Sequence, residues 1–106
     1  MKEEIAGYIR TVLEIDDPET VDLLIGSFLE SLQDSLAKIG SLVAARDYAG
    51  LKIAAHTLKG CAANVGAEAI RAAALEMEHA ALASDAAASE RIYGIIRQTG
   101  EQLLAE

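Results

Sequence analysis

The sequence has no tryptophan, one phenylalanine, three tyrosines, one proline and one cysteine in 106 residues. Without aromatic bulk the core has to be built from Leu, Ile, Val and Ala. The 21 alanines imply helices that approach one another closely, and alanine is also the strongest helix former. A single cysteine cannot form an internal disulfide, so Cys61 is expected as a small buried hydrophobe and the chain in a reducing cytoplasm. No apolar run reaches the roughly 18 residues needed to span a bilayer. The opening Met1-Lys2-Glu3-Glu4 has acid where a secretory signal would carry its positive and apolar segments. Positive charge is scarce as well. Nine Lys and Arg against 17 Asp and Glu leave a formal charge of −8. Such a chain is repelled by phosphate backbones and anionic lipid, which argues against nucleic-acid and membrane partners.

What is present fits one small core. Hydrophobic residues make up 52% of the chain, too many for disorder, and the length suits a single domain over residues 1–106. There is no linker, no repeat, and no period-two alternation of a half-buried strand. Met1 and the clean ends favour a free-standing protein over a piece of a larger one.

Five helices can be read. The first covers about residues 2–14, with Ile5, Ile9, Val12 and Leu13 on one side. Asp17 is placed to cap the second, and Pro18 suits its first position because proline has no N–H to leave unpaired. That helix runs to about Ala45, with Val21, Ile25, Phe28, Leu32, Leu36, Ile39 and Val43 forming one apolar stripe; Gly40 marks a bend or an earlier end. Asp47 caps a third helix that ends near Asn64, with Gly66 as a left-handed stop. The fourth starts near Ala67, with Glu68 favourable at its positive end and Ile70, Ala73, Ala74, Met77 and Ala81 facing inward. Ser84-Asp85 breaks it. The last runs from about Ala86 to Leu104 with Ile92, Ile96 and Leu103 inward. Connections this short make sequential helices antiparallel. The expected fold is therefore all-α: an up-down-up-down four-helix bundle over about 18–104, with the short N-terminal helix packed over one end.

The third helix carries the chemistry. Leu51, Ala54, Ala55, Leu58, Ala62 and Val65 face the core at helical spacing, so Lys52, His56, Lys59, Gly60 and Ala63 fall on the other face. Two lysines, one turn either side of the histidine, make a positive spot in an acidic chain. Gly60 and Ala63, at i+4 and i+7 from His56, clear one approach to its ring, although glycine inside a helix costs about 1 kcal/mol against alanine. An exposed imidazole with an ordinary pKa of about 6.5 is neutral at cytoplasmic pH and nucleophilic towards an activated phosphoryl group. A nearby lysine can offset charge on phosphoryl oxygens. On the residues alone, a solvent-facing histidine between two solubilising lysines is the competing description.

The run His56-Thr57-Leu58-Lys59-Gly60 resembles the H-x-x-K-G signature of histidine-containing phosphotransfer (HPt) domains. The likeness continues through Cys61-Ala62-Ala63-Asn64-Val65 to Gly66-Ala67, and includes Asp47 upstream and Leu75-Glu76 downstream. It extends in detail from about Val21 to Met77. The resemblance implies that His56 accepts a phosphoryl group on Nε2 from the phospho-aspartate of a response-regulator receiver domain and passes it to another receiver. It implies Lys59 beside the phosphoryl group and Gly60 as steric access; Lys52 and Ala63 are expected in support from their places on the same face of the helix. It implies no cofactor of the chain's own, since the receiver brings Mg²⁺, and receivers as partners, with a hybrid sensor kinase as a further candidate. On this basis the chain is expected to be a phosphocarrier and not an enzyme in its own right. The chain is expected to be a monomer, because the bundle uses up the apolar stripe of each helix.

Other residues point elsewhere less strongly. His79, with Glu76 and Glu78 around it, is expected to be a surface residue, and two histidines and one cysteine on different helices make no metal-ligand set. The dimerisation helices of autophosphorylating kinases usually have an acidic residue after the histidine; here it is Thr57. A helical adaptor that binds a receiver or another signalling protein without carrying phosphate is the alternative function.

Overall fold

Five helices take up most of the chain in a computed structural model that describes residues 1–106: α1 (Lys2–Thr11), α2 (Pro18–Ala45), α3 (Tyr48–Asn64), α4 (Glu68–Leu82) and α5 (Ala86–Ala105). The starts of α2, α3 and α5 are fixed by three aspartates. A free backbone N–H in the first turn needs an acceptor, and each side chain supplies one. Asp17 accepts from the Thr20 N–H at 3.2 Å and from its hydroxyl at 2.7 Å. Asp47 accepts from Gly50 N–H and Asp85 from Ala88 N–H, both at 3.0 Å. Their stops are left-handed residues: Arg46 (φ 53°) after α2, Gly66 (φ 71°) after α3 and Ser84 (φ 50°) after α4.

The apolar stripes of α2 to α5 then meet. Each helix packs on the next in order, and α5 returns against α2 to close the four-helix ring. The centre is lined by fully buried Leu32, Ile39, Leu51, Leu58, Ile70, Met77, Ile96 and Leu103, with alanines such as Ala55, Ala62 and Ala74 where helices come closest. α1 lies over one end and buries Ile5 and Ile9. There the first and last residues meet, because Glu106 Oε1 accepts from both the Met1 amine and the Lys2 N–H at 3.0 Å. No helix is long and apolar enough to cross a membrane.

Three sequence expectations change. α1 ends at Thr11 and not at 14, and Val12 and Leu13 are 58% and 40% exposed. The chain turns back there through Glu14 (φ 57°), so that Ile15 N–H reaches Ile9 O and Ile15, half-buried, takes the inward place. Gly40 does not end α2, which continues to Ala45. A Cβ there would lie 2.6 Å from the Tyr93 hydroxyl, so the glycine makes room for α5. Cys61 is half-buried and not fully enclosed, lying on the flank of α3 where a groove against α2 opens to solvent.

Gly66 is needed on two counts. Its φ of 71° disfavours any side chain, and a Cβ would overlap the Tyr8 ring by which α1 packs on the α3–α4 turn. Gly66→Ala should therefore lower the unfolding free energy by about 1–3 kcal/mol, read from the urea midpoint at unchanged slope.

Candidate functional site

α3 buries Leu51, Ala54, Ala55, Leu58 and Ala62 and turns the intervening residues outward. His56 stands mid-helix with 71% of its side chain exposed. Thr57 beside it is turned inward on its own helix, its hydroxyl donating to Ile53 O at 3.0 Å, while the Ile53 side chain is 66% exposed one turn before the histidine. Lys52, Ile53, His56 and Thr57 together line a shallow open depression. Lys52 and Ala63 are exposed, as their positions on the helix required. An added Cβ at Gly60 would meet nothing within 4 Å, so nothing in this chain's own packing calls for the glycine.

α4 adds a residue that periodicity did not single out. Glu78 follows buried Met77 and lies on the flank of α4 facing α3. Its Oε1 is 3.2 Å from His56 Nδ1 and 2.7 Å from Lys59 Nζ, and only 13% of the Glu78 side chain is exposed. Lys59 is thus held in the α3–α4 groove, 25% exposed, and not out on the open face. The hydrogen bond from Lys59 holds the Glu78 carboxyl below its ordinary 4.5; burial opposes this, and the bond from His56 adds to the lowering. An ionised carboxylate can only accept, so the ring proton is assigned to Nδ1, which leaves the lone pair of Nε2 facing outward. This is the arrangement by which a carboxylate fixes a histidine tautomer and offsets positive charge that develops on the ring. An exposed imidazole so held is a nucleophile with its reactive nitrogen in solvent. His79, exposed in the last turn of α4, belongs to no cluster of three groups able to hold a metal ion.

The Glu78 interactions carry a pH signature. A carboxyl whose folded value is depressed adds stability above its unfolded value, and loses it as pH falls through the folded one. The wild-type chain should therefore exceed Glu78→Gln in melting temperature above about pH 4.5, with the gap closing as pH falls further, in matched thermal scans.

No curated protein and no solved structure matches the chain. A family model does, described as the Hpt domain, over residues 23–106. That span leaves out α1 and the first turn of α2, and takes in His56, Lys59, Gly60 and Glu78 with the helices that position them. The chain belongs to the Hpt domain family, whose members serve histidine phosphotransfer in phosphorelays.

Proposed function

We propose that the chain is a phosphocarrier in which His56 takes a phosphoryl group from the phospho-aspartate of one response-regulator receiver domain and gives it to another. The observation that supports this most is the single exposed imidazole whose Nδ1 is occupied by Glu78, leaving Nε2 to the solvent side. In the forward step the Nε2 lone pair forms the N–P bond, the acyl-phosphate P–O bond breaks, and its electron pair returns to the receiver's carboxylate. The proton stays on Nδ1, where Glu78 offsets the charge gained by the ring. The reverse step regenerates a phospho-aspartate.

Other groups have narrower tasks. Lys59, already beside Glu78, is the nearby cation for phosphoryl oxygens, and Lys52 lends longer-range positive potential. Gly60, with Ala63 beyond it, leaves the surface low where a receiver would approach. The chain needs no cofactor of its own in this reading, Mg²⁺ being supplied with the receiver's active site, and it is not an enzyme by itself. It acts as a monomer in the cytoplasm, with a hybrid sensor kinase as a further partner carrying such a receiver.

The test uses receiver domains phosphorylated on aspartate and a radiolabelled phosphoryl group. Label that moves to the folded chain, survives base and is lost in acid identifies phosphohistidine. A chain that binds these receivers and takes up no label would be an adaptor instead.

A further inference from the structure

His56 and Lys59 meet on one oxygen. Glu78 Oε1 is 3.2 Å from His56 Nδ1 and 2.7 Å from Lys59 Nζ, in the groove between α3 and α4. The two nitrogens of an imidazole point away from each other. Lys59 is therefore drawn to the carboxylate on the Nδ1 side, while a phosphoryl group on Nε2 lies on the other. The cation that phosphoryl oxygens need is already in use in the free chain. Lys52, the other lysine of α3, is exposed and makes no ion pair.

A count of charges shows how Lys59 can be released. In the free chain Glu78 has one cation, Lys59, and one neutral N–H, from His56. As Nε2 forms the N–P bond, the acyl-phosphate P–O bond breaks and its electron pair stays with the receiver's carboxylate. The ring keeps its Nδ1 proton and becomes a cation. Two cations then face two anionic groups, the Glu78 carboxylate and the phosphoryl dianion. The ring cation has its N–H directed at Glu78 Oε1 and stays there. A carboxylate that is only 13% exposed is costly to leave without a cation, and the ring now supplies one. Lys59 is free to follow the larger charge on the phosphoryl group. Its four-carbon stem is flexible, and the surface beside it is low, since a Cβ at Gly60 would meet nothing within 4 Å.

We propose that phosphorylation of His56 exchanges the partners of Glu78. The ring cation replaces Lys59 on the carboxylate, and Lys59 moves to the phosphoryl oxygens; departure of the phosphoryl group returns it. Glu78 is thus a positioning residue that holds Lys59 until it is needed and is paired with a cation in both states. The inference rests on the phosphocarrier reading, and it makes the free and phosphorylated chains differ in the α3–α4 groove as well as at Nε2.

The test has a spectroscopic and a kinetic arm. Phosphoramidate, a small direct phosphoryl donor, labels His56 without docking. The sequence has four lysines, so their ammonium groups can be followed singly by nuclear magnetic resonance in a chain labelled with 13C and 15N, and Lys59→Arg identifies the Lys59 signal by its absence. In the free chain that signal should show coupling through the hydrogen bond to the Glu78 carboxylate carbon. On phosphorylation the coupling should be lost and the Lys59 signal should move, with that of Lys52 nearly still. A Lys59–Glu78 coupling that persists in the phosphorylated chain would overturn the proposal, as would its absence from the free chain. In the kinetic arm, a receiver that donates to wild type is tested with Glu78→Gln, melting temperatures verifying the fold. Glutamine can still accept from Nδ1–H, so only the charge is removed. Each state loses one cation–carboxylate pair, and the ring charge that develops between them loses its support. Transfer to and from His56 should therefore slow alike, by about tenfold, with the equilibrium distribution of label nearly unchanged. Label shifted towards His56 would mean that Glu78 merely withholds Lys59, and unchanged rates would mean that it serves only packing; either overturns the exchange. If phosphoramidate labels His56 and no receiver in a broad panel donates to wild type, the phosphocarrier reading fails, whereas the exchange itself is still decided by the spectra.

Discussion

With His56 replaced by glutamine, the chain is expected to take up no base-stable, acid-labile phosphate from any phosphorylated receiver, while its melting temperature hardly moves. The loss should be complete because the amide offers no lone pair comparable to that of imidazole Nε2. Stability should change by no more than about 0.5 kcal/mol, the usual range for an exposed side chain, since His56 is 71% exposed. The glutamine amide can still donate to Glu78, so the Lys59–Glu78 pair at 2.7 Å has no reason to break. Intact-mass and label measurements on the same samples decide the matter. Phosphate retained at another residue, with His79 the other imidazole, would show that α3 had been assigned the wrong role.

Gly60→Gln is expected to move stability and transfer in opposite directions. The position is mid-helix and faces open space, so the new side chain should stabilise α3 by about 0.5–1 kcal/mol through helix propensity alone. The same side chain stands one turn from His56 on its solvent side, where on the proposed phosphocarrier function the donor's aspartyl phosphate arrives. Displacing reacting atoms by about 1 Å can cost on the order of a hundredfold in rate, and a loss of that size in receiver-dependent transfer is the expected result. Small-molecule phosphorylation by phosphoramidate should be nearly spared, because it requires no docking. A variant that is both more stable and fully active would mean that the glycine serves no approaching partner.

Helix starts could be read from single residues, since capping is local. Asp17 with Pro18 and Asp47 each place a side-chain acceptor one residue before the first turn, and the bonds are found there; Asp85 caps α5 in the same way, where the sequence marked only a break. The face of α3 was equally readable, because one buried stripe of Leu51, Ala54, Ala55, Leu58 and Ala62 fixes where His56 points. The end of α1 was not. Val12 and Leu13 continue its spacing, but the chain turns back at Glu14 (φ 57°) and Ile15 packs on the core instead. Relations between helices were also hidden. Periodicity gives the face of each helix but not the offset of one against another, so the pairing of Glu78 with His56, 22 residues apart, left no trace in either segment. The same holds for Gly40, whose reason is the Tyr93 ring of α5. Lys59 shows the limit within one helix: its side chain is long enough to leave the face its Cα occupies and reach the α4 carboxylate.

The meeting of Met1 and Glu106 on one carboxylate oxygen brings the two chain ends together at the end of the bundle covered by α1. Ends so close can be bridged by a few flexible residues, and a new pair opened in an exposed turn such as Ser84-Asp85 without separating α3 from α4. The fold is in this sense a closed loop of helices with an adjustable point of entry. The same adjacency lets the bundle be inserted into a surface loop of another protein, with both connections leaving from one place and the face bearing His56 still open to its partners.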